Sequence, residues 1–211
     1  MLGCGGTIAR HSAAGDRVHI LILGEGAASR GSGNRETETQ ALIEAARAAA
    51  KVLGAQPPRL LGLPDNRLDT IPLLDVIQAV EAIIREVRPS TVYVHAGSDL
   101  NRDHRIAHEA TVTACRPLPG CDVRRLLAFE TLSSTEWSTP SIGPSFTPNR
   151  FVAIVDQLEL KRRALECYSL EMRPFPHPRS FEAVEALARL RGSHVGQPAA
   201  EAFEVLLDID G

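Results

Sequence analysis

No stretch of this 211-residue chain carries a block of one charge. The formal net charge is −3 and the basic residues are scattered, so neither nucleic acid nor an anionic membrane surface is expected as a partner. Long apolar runs are missing too. The longest, residues 18–23, is strand-sized, far short of the roughly 18 residues a membrane helix needs, so no membrane span is expected. Met1 leads straight into a glycine cluster, without the basic and apolar stretches of a signal peptide. Cys4, Cys115, Cys121 and Cys167 include no Cys-x-x-Cys spacing, which excludes zinc-ribbon and thioredoxin-type motifs. A chain of this length can bury one sizeable core without disulfides, so free thiols in a reducing, cytoplasmic setting are expected. What remains is an ordinary globular balance of 44% hydrophobic and 23% charged residues.

Short aliphatic runs alternate with segments of helical spacing. Residues 18–23, 59–63, 91–94, 125–131, 151–155 and 202–207 read as strands. Residues 7–14, 36–53, 71–87, 103–115, 157–168 and 181–190 read as helices, with stops at Gly15, Gly54 and Arg88-Pro89. This alternation argues for parallel βαβ units in the α/β class: one three-layer α/β/α Rossmann-like domain over residues 1–211, with a mostly parallel sheet. A doubly wound domain normally opens on a strand, whereas this chain opens on a loop and a helix. Its first strand is therefore expected to be missing.

The densest reactive cluster is His95-Ala-Gly-Ser-Asp99-Leu-Asn101-Arg-Asp103-His104-Arg105, directly after a strand, where α/β sheets place their sites. Histidine and aspartate on such a loop can ligate a metal or move protons. The same residues can also form a solvated loop with Asp103 capping the next helix. His104 and His108 stand at i and i+4, the spacing of a two-histidine metal site, although His108 reads better as a packing residue. Gly3-Cys-Gly-Gly-Thr7 opening a helix permits a phosphate-binding turn, but close packing explains its glycines as well. Cys4 has no neighbouring base, so a nucleophile is not expected there.

Taken together, Leu2-Gly-Cys-Gly-Gly-Thr7, Leu61-Gly-Leu-Pro-Asp65, Asp99-Leu-Asn-Arg-Asp-His-Arg105, His177-Pro-Arg-Ser180, Arg191-Gly192 and Ala200-Glu-Ala-Phe203 resemble the LmbE-like, or PIG-L, deacetylases. The resemblance implies a Rossmann-like fold that uses bound zinc to remove acyl groups, usually acetyl, from N-acyl sugars. Its tail motifs look most like members from polysaccharide or glycoconjugate pathways. In that family the glycine turn follows a His-Pro-Asp-Asp-Glu motif, which brings two zinc ligands and the general base. The resemblance therefore implies that this motif and the first strand lie ahead of Met1. It makes His104 the third zinc ligand and Asp103 the acidic neighbour that orients the site. Asn101 stands where many relatives carry a histidine that stabilises the oxyanion; an amide can donate a hydrogen bond but cannot act as an acid. His177 matches a general acid of some relatives, and Arg30 and Asp65 match substrate-contacting positions. A loop residue without function, a surface ion pair and a turn residue are the plainer readings of these three.

The expected function is zinc-dependent removal of an acetyl group from a small-molecule N-acyl sugar or glycoconjugate, with a homo-oligomer possible. Two other classes compete. One is a non-catalytic remnant that binds a sugar or a partner. The other is a nucleotide-binding Rossmann protein using the Gly3–Thr7 turn, which would need an upstream strand followed by a full Gly-x-Gly-x-x-Gly.

Overall fold

The computed structural model describes residues 1–26 and 35–210. Six helices and six strands follow in order among them: α1 (Gly5–Ala13), β1 (Leu21–Gly24), α2 (Arg35–Val52), β2 (Arg59–Leu63), α3 (Leu73–Val87), β3 (Thr91–His95), α4 (Arg102–Ala114), β4 (Arg125–Phe129), β5 (Arg150–Ala153), α5 (Leu158–Glu166), α6 (Phe181–Ser193) and β6 (Ala200–Asp208). The class is α/β, as the alternation of runs implied. One sheet pairs β1 with β2; the other has the order β3-β4-β6-β5. The β1–β2 and β3–β4 pairs are parallel, and β6 runs antiparallel to β4. No helix of the described residues is long and apolar enough to cross a membrane.

The chain divides into two compact units, Met1–Asp65 with Phe151–Glu201, and Asn66–Arg150 with Ala202–Gly211. In the first, Ala9 of α1, Ala49 of α2, Leu53 just beyond it, and Ala164 of α5 form one core cluster; the three alanines let the helices approach closely. Helix α1 starts without a side-chain cap from Cys4. Its first amides are satisfied from far away in sequence: Gly6 and Thr7 N–H donate to the Glu201 carboxylate at 2.9 and 2.7 Å, and the Thr7 hydroxyl donates at 2.6 Å. Lys161 Nζ completes the cluster at 2.7 Å from Glu201 Oε1. Gly6 is required by packing, since a Cβ there would come within 2.8 Å of Ile154.

In the second unit, Val94, Cys115, Val123, Leu126 and Ala128 form the core between the β3–β4 pair and its helices. Registers from Thr91↔Arg125 to His95↔Phe129 bring the ends of β3 and β4 level. Helix α3 closes on Arg88 in the left-handed region (φ 51°), whose guanidinium pairs with Asp122 at 2.6 Å. This frame sets the loop that leaves β3.

Candidate active site

Strand β3 ends on His95, and Ala96 N–H extends the ladder with a 2.9 Å bond to the Phe129 carbonyl. The chain then turns into α4 around Asp99, whose side chain is 0% exposed. A carboxylate buried this completely requires partners. Oδ1 accepts from the Ser134 hydroxyl and from Asn101 N–H at 2.8 Å, and Oδ2 accepts from the Thr135 hydroxyl at 2.7 Å. His104 Nδ1 lies 3.1 Å from Oδ1. That nitrogen is out of solvent and out of line for a hydrogen bond among the described residues. Burial pushes the Asp99 carboxyl up, but His104 and the Ser134 and Thr135 hydroxyls outweigh it and hold it below the usual carboxylate range.

Helix α4 begins at Arg102, one residue earlier than the sequence suggests, and its cap is Asn101 rather than Asp103. Asn101 Oδ1 accepts from the amides of Asp103 at 2.8 Å and His104 at 3.3 Å. With the oxygen fixed on two donors, the amide nitrogen is the free end of the side chain. Asp103 is turned to other use: its Oδ1 accepts from Leu68 N–H at 3.1 Å, tying the 3-10 turn Leu68–Thr70 to the start of α4. Arg105 clamps the loop by donating to the carbonyls of Asp99 and Leu100, both at 2.8 Å.

His104 is partly exposed, and its ring stacks on His95 with centroids 3.9 Å apart and planes 18° off parallel. Burial, with His104 alongside, lowers the His95 pKa well below the ordinary histidine value. His108 is structural, as its helix position suggested. Its Nδ1 lies 2.8 Å from the His95 carbonyl, and its Nε2 would meet any Cβ at Gly97 at 2.8 Å. The loop is thus seated on His108, and only glycine fits at position 97.

The structure brings His104, Asp103 and Asn101 together and adds Asp99, with Ser134 and Thr135 behind it. Asp99 lies within the reactive string, where the sequence assigns it no role of its own; full burial is what singles it out. Asp65 and His177 belong to the other unit. Asp65 follows Pro64 after β2, its Oδ1 3.5 Å from where a Cβ on Gly24 would stand. His177 sits in a tight turn, donating its N–H to the Pro174 carbonyl at 3.1 Å. Its Nδ1 accepts from Arg179 N–H at 3.0 Å, so the neutral ring carries its proton on Nε2. Arg30 lies outside the described residues. Cys4 is buried, and burial with Glu201 nearby pushes its thiol up to about 11, which rules out a nucleophile.

The donor set fits one coordinating position. His104 Nδ1 faces Asp99 at 3.1 Å, leaving Nε2; a small turn of the ring that lined up Nδ1–H with the carboxylate would complete the carboxylate–histidine arrangement that orients metal-bound imidazoles. His95 is stacked parallel to His104, so their in-plane lone pairs do not converge, and His108 is used by the loop. Among the described residues no group of three His, Cys, Asp or Glu could hold a metal ion.

Residues 1–115 match the family model described as "PIG-L: GlcNAc-PI de-N-acetylase". Over 164 residues the chain is 29% identical to YaiS of Escherichia coli (strain K12), an uncharacterised deacetylase, covering 74% of this chain and 76% of that one. The solved structure of the conserved protein TT1542 from Thermus thermophilus is 26% identical, with a TM-score of 0.77 over 100% of this chain and 90% of its own. The N,N'-diacetylchitobiose deacetylase of Pyrococcus horikoshii superposes with a TM-score of 0.77 at 18% identity, over 98% of this chain and 79% of its own. At that identity the second likeness shows the fold alone. The family match spans more than half of the sequence, and the chain belongs to the PIG-L family.

Proposed function

We propose that this protein is a zinc-dependent amide hydrolase that removes the acetyl group from an N-acetylated sugar or glycoconjugate. The observation that carries this reading is the Asp99–His104 pair: a fully buried carboxylate holding one imidazole at the start of α4, in a chain of the PIG-L family. The family model that matches residues 1–115, described as a GlcNAc-PI de-N-acetylase, supports a sugar substrate.

In this reading His104 holds zinc through Nε2, and Asp99 fixes the ring's orientation. A working zinc centre needs further ligands and a general base besides His104. Bound zinc would polarise the acyl carbonyl and supply hydroxide near neutral pH. Asn101 uses its free amide N–H to stabilise the developing oxyanion, while its oxygen stays on the helix cap. Asp103 ties α4 to its neighbouring turn and holds the site's geometry. The family resemblance further implies a general-acid role for His177 and substrate contacts for Arg30 and Asp65. The protein works in the cytoplasm, in keeping with four free cysteines.

The test is release of free amine from N-acetylglucosamine conjugates by the protein as its gene encodes it, with zinc and with a chelator. Release that stops on chelation supports the reading. Saturable sugar binding with no release under any metal would select the non-catalytic sugar-binding alternative. The nucleotide-binding alternative has lost its site, because the first amides of α1 already donate to Glu201.

A further inference from the structure

The 3-10 turn Thr135–Trp137 is anchored on both sides. On one side Ser134 and Thr135 donate to Asp99, and the Thr135 hydroxyl accepts from Thr131 N–H at 2.7 Å. Glu136 folds back onto the amides of Ser133 and Ser134, at 2.5 and 3.0 Å. On the other side Gly143 packs against Ser98, whose Cβ lies 3.2 Å from where a Cβ on Gly143 would stand. The segment between these anchors is therefore fixed at both ends to Ser98 and Asp99, the latter 3.1 Å from His104 Nδ1.

Trp137, the chain's single tryptophan, stands on this segment and is 50% exposed. A lone exposed apolar side chain is ordinary. An indole held half in water on a turn whose hydrogen bonds run to the catalytic loop is a different matter. A pyranose ring offers an apolar C–H face and an edge of hydroxyls. The segment offers the matching pair, an aromatic face followed by the exposed hydroxyls of Thr139 and Ser141, 2.8 Å from each other.

We infer that Trp137 is the sugar platform of this site, stacking on the apolar face of a pyranose whose N-acetyl group reaches the His104 end of α4. The inference takes its substrate class from the N-deacetylase reading, and its evidence from the anchored turn. Trp137 thereby sets specificity for a ring over an open-chain amide, without taking part in the chemistry.

Fluorescence of the protein as its gene encodes it, read against Trp137→Phe as the blank, gives a binding signal that needs no turnover. Methyl glycosides of N-acetylglucosamine and N-acetylgalactosamine are titrated alongside N-acetylbutylamine, which has the amide but no ring. A saturable change with a glycoside, absent with the open-chain amide and in the blank, is expected. In turnover, Trp137→Ala should raise KM about tenfold, equivalent to about 1.4 kcal/mol, with kcat held within about twofold and Trp137→Tyr restoring most of the loss. No fluorescence change, an equal change with N-acetylbutylamine, or an unchanged KM in Trp137→Ala would overturn the inference. Saturable fluorescence without amine release would sink the hydrolase reading and leave the platform standing; normal turnover with silent fluorescence would do the reverse.

Discussion

Glu201 and Lys161 are each 4% exposed, and substituting them one at a time should destabilise the protein unequally. Glu201 Oε1 accepts from Gly6 N–H and Lys161 Nζ, and Oε2 accepts from Thr7 N–H and the Thr7 hydroxyl. In Glu201→Gln one oxygen becomes an NH2 that faces donors, and the Lys161 ammonium is left buried without a counter-charge. Breaking a buried pair in this way costs about 3–5 kcal/mol. Lys161→Met keeps the aliphatic stem and removes only the ammonium. The carboxylate then retains its three donors from α1 and the favourable end of the helix dipole, so a loss of about 1–3 kcal/mol is expected. At about 2–4 °C per kcal/mol for a chain of this size, the melting temperature should fall by about 6–20 °C for Glu201→Gln and by about 2–12 °C for Lys161→Met. Urea titration should show lower midpoints at unchanged slope, in the same order. If Lys161→Met is as damaging as Glu201→Gln, or if both lie within about 0.5 kcal/mol of the parent, the cluster does not cap α1 as described.

Asn101 separates capping from chemistry. Asn101→Asp should keep the cap and stability, whereas Asn101→Ala should lose about 1 kcal/mol in thermal unfolding. Both should lower amide hydrolysis by about 100- to 1000-fold, because neither retains the N–H donor. Asp99→Asn should weaken zinc binding, read by equilibrium dialysis, by about 10- to 100-fold through loss of the charge that orients His104. The buried Cys4 and Cys115 thiols are pushed up to about 11 and about 12, mainly by burial. Iodoacetamide at about pH 8 should therefore modify the less buried Cys121 and Cys167 first, as read by mass spectrometry. Early labelling of Cys4 would contradict its burial.

The fold was legible wherever a run of side chains had a sharp chemical boundary. Strand β2 occupies residues 59–63 and α6 starts at Phe181, both as the pattern implied. Strand β1 starts three residues into its apolar run. The carbonyls of Val18 and Ile20 do accept from Gln56 and Arg59, but a strand needs a continued ladder, and only residues from Leu21 have one. The antiparallel course of β6 could not be read, because alternation reports which face is buried and not the direction of the chain. In the site, residue types and spacing marked the string from His95 to Arg105, and the family resemblance singled out His104, Asp103 and Asn101. Roles were harder to read. Asparagine and aspartate cap helices about equally well, so which of Asn101 and Asp103 does so depends on where the backbone turns. The partners of Asp99 lie 35 and 36 residues away in a loop with no periodic signal. Glu201 and Lys161 were hidden for the same reason, as an ion pair spanning 40 residues leaves no local trace.

The central claim is that His104, held by Asp99, binds the catalytic metal, and that His108 only seats the loop. The protein as its gene encodes it, His104→Ala and His108→Ala should be purified with zinc, their metal content measured, and amine release from an N-acetylglucosamine conjugate followed. His104→Ala should lose both the metal and turnover, and His108→Ala should keep the metal while melting at a lower temperature. Equal loss of metal in the two variants, or zinc and turnover surviving in His104→Ala, would contradict it.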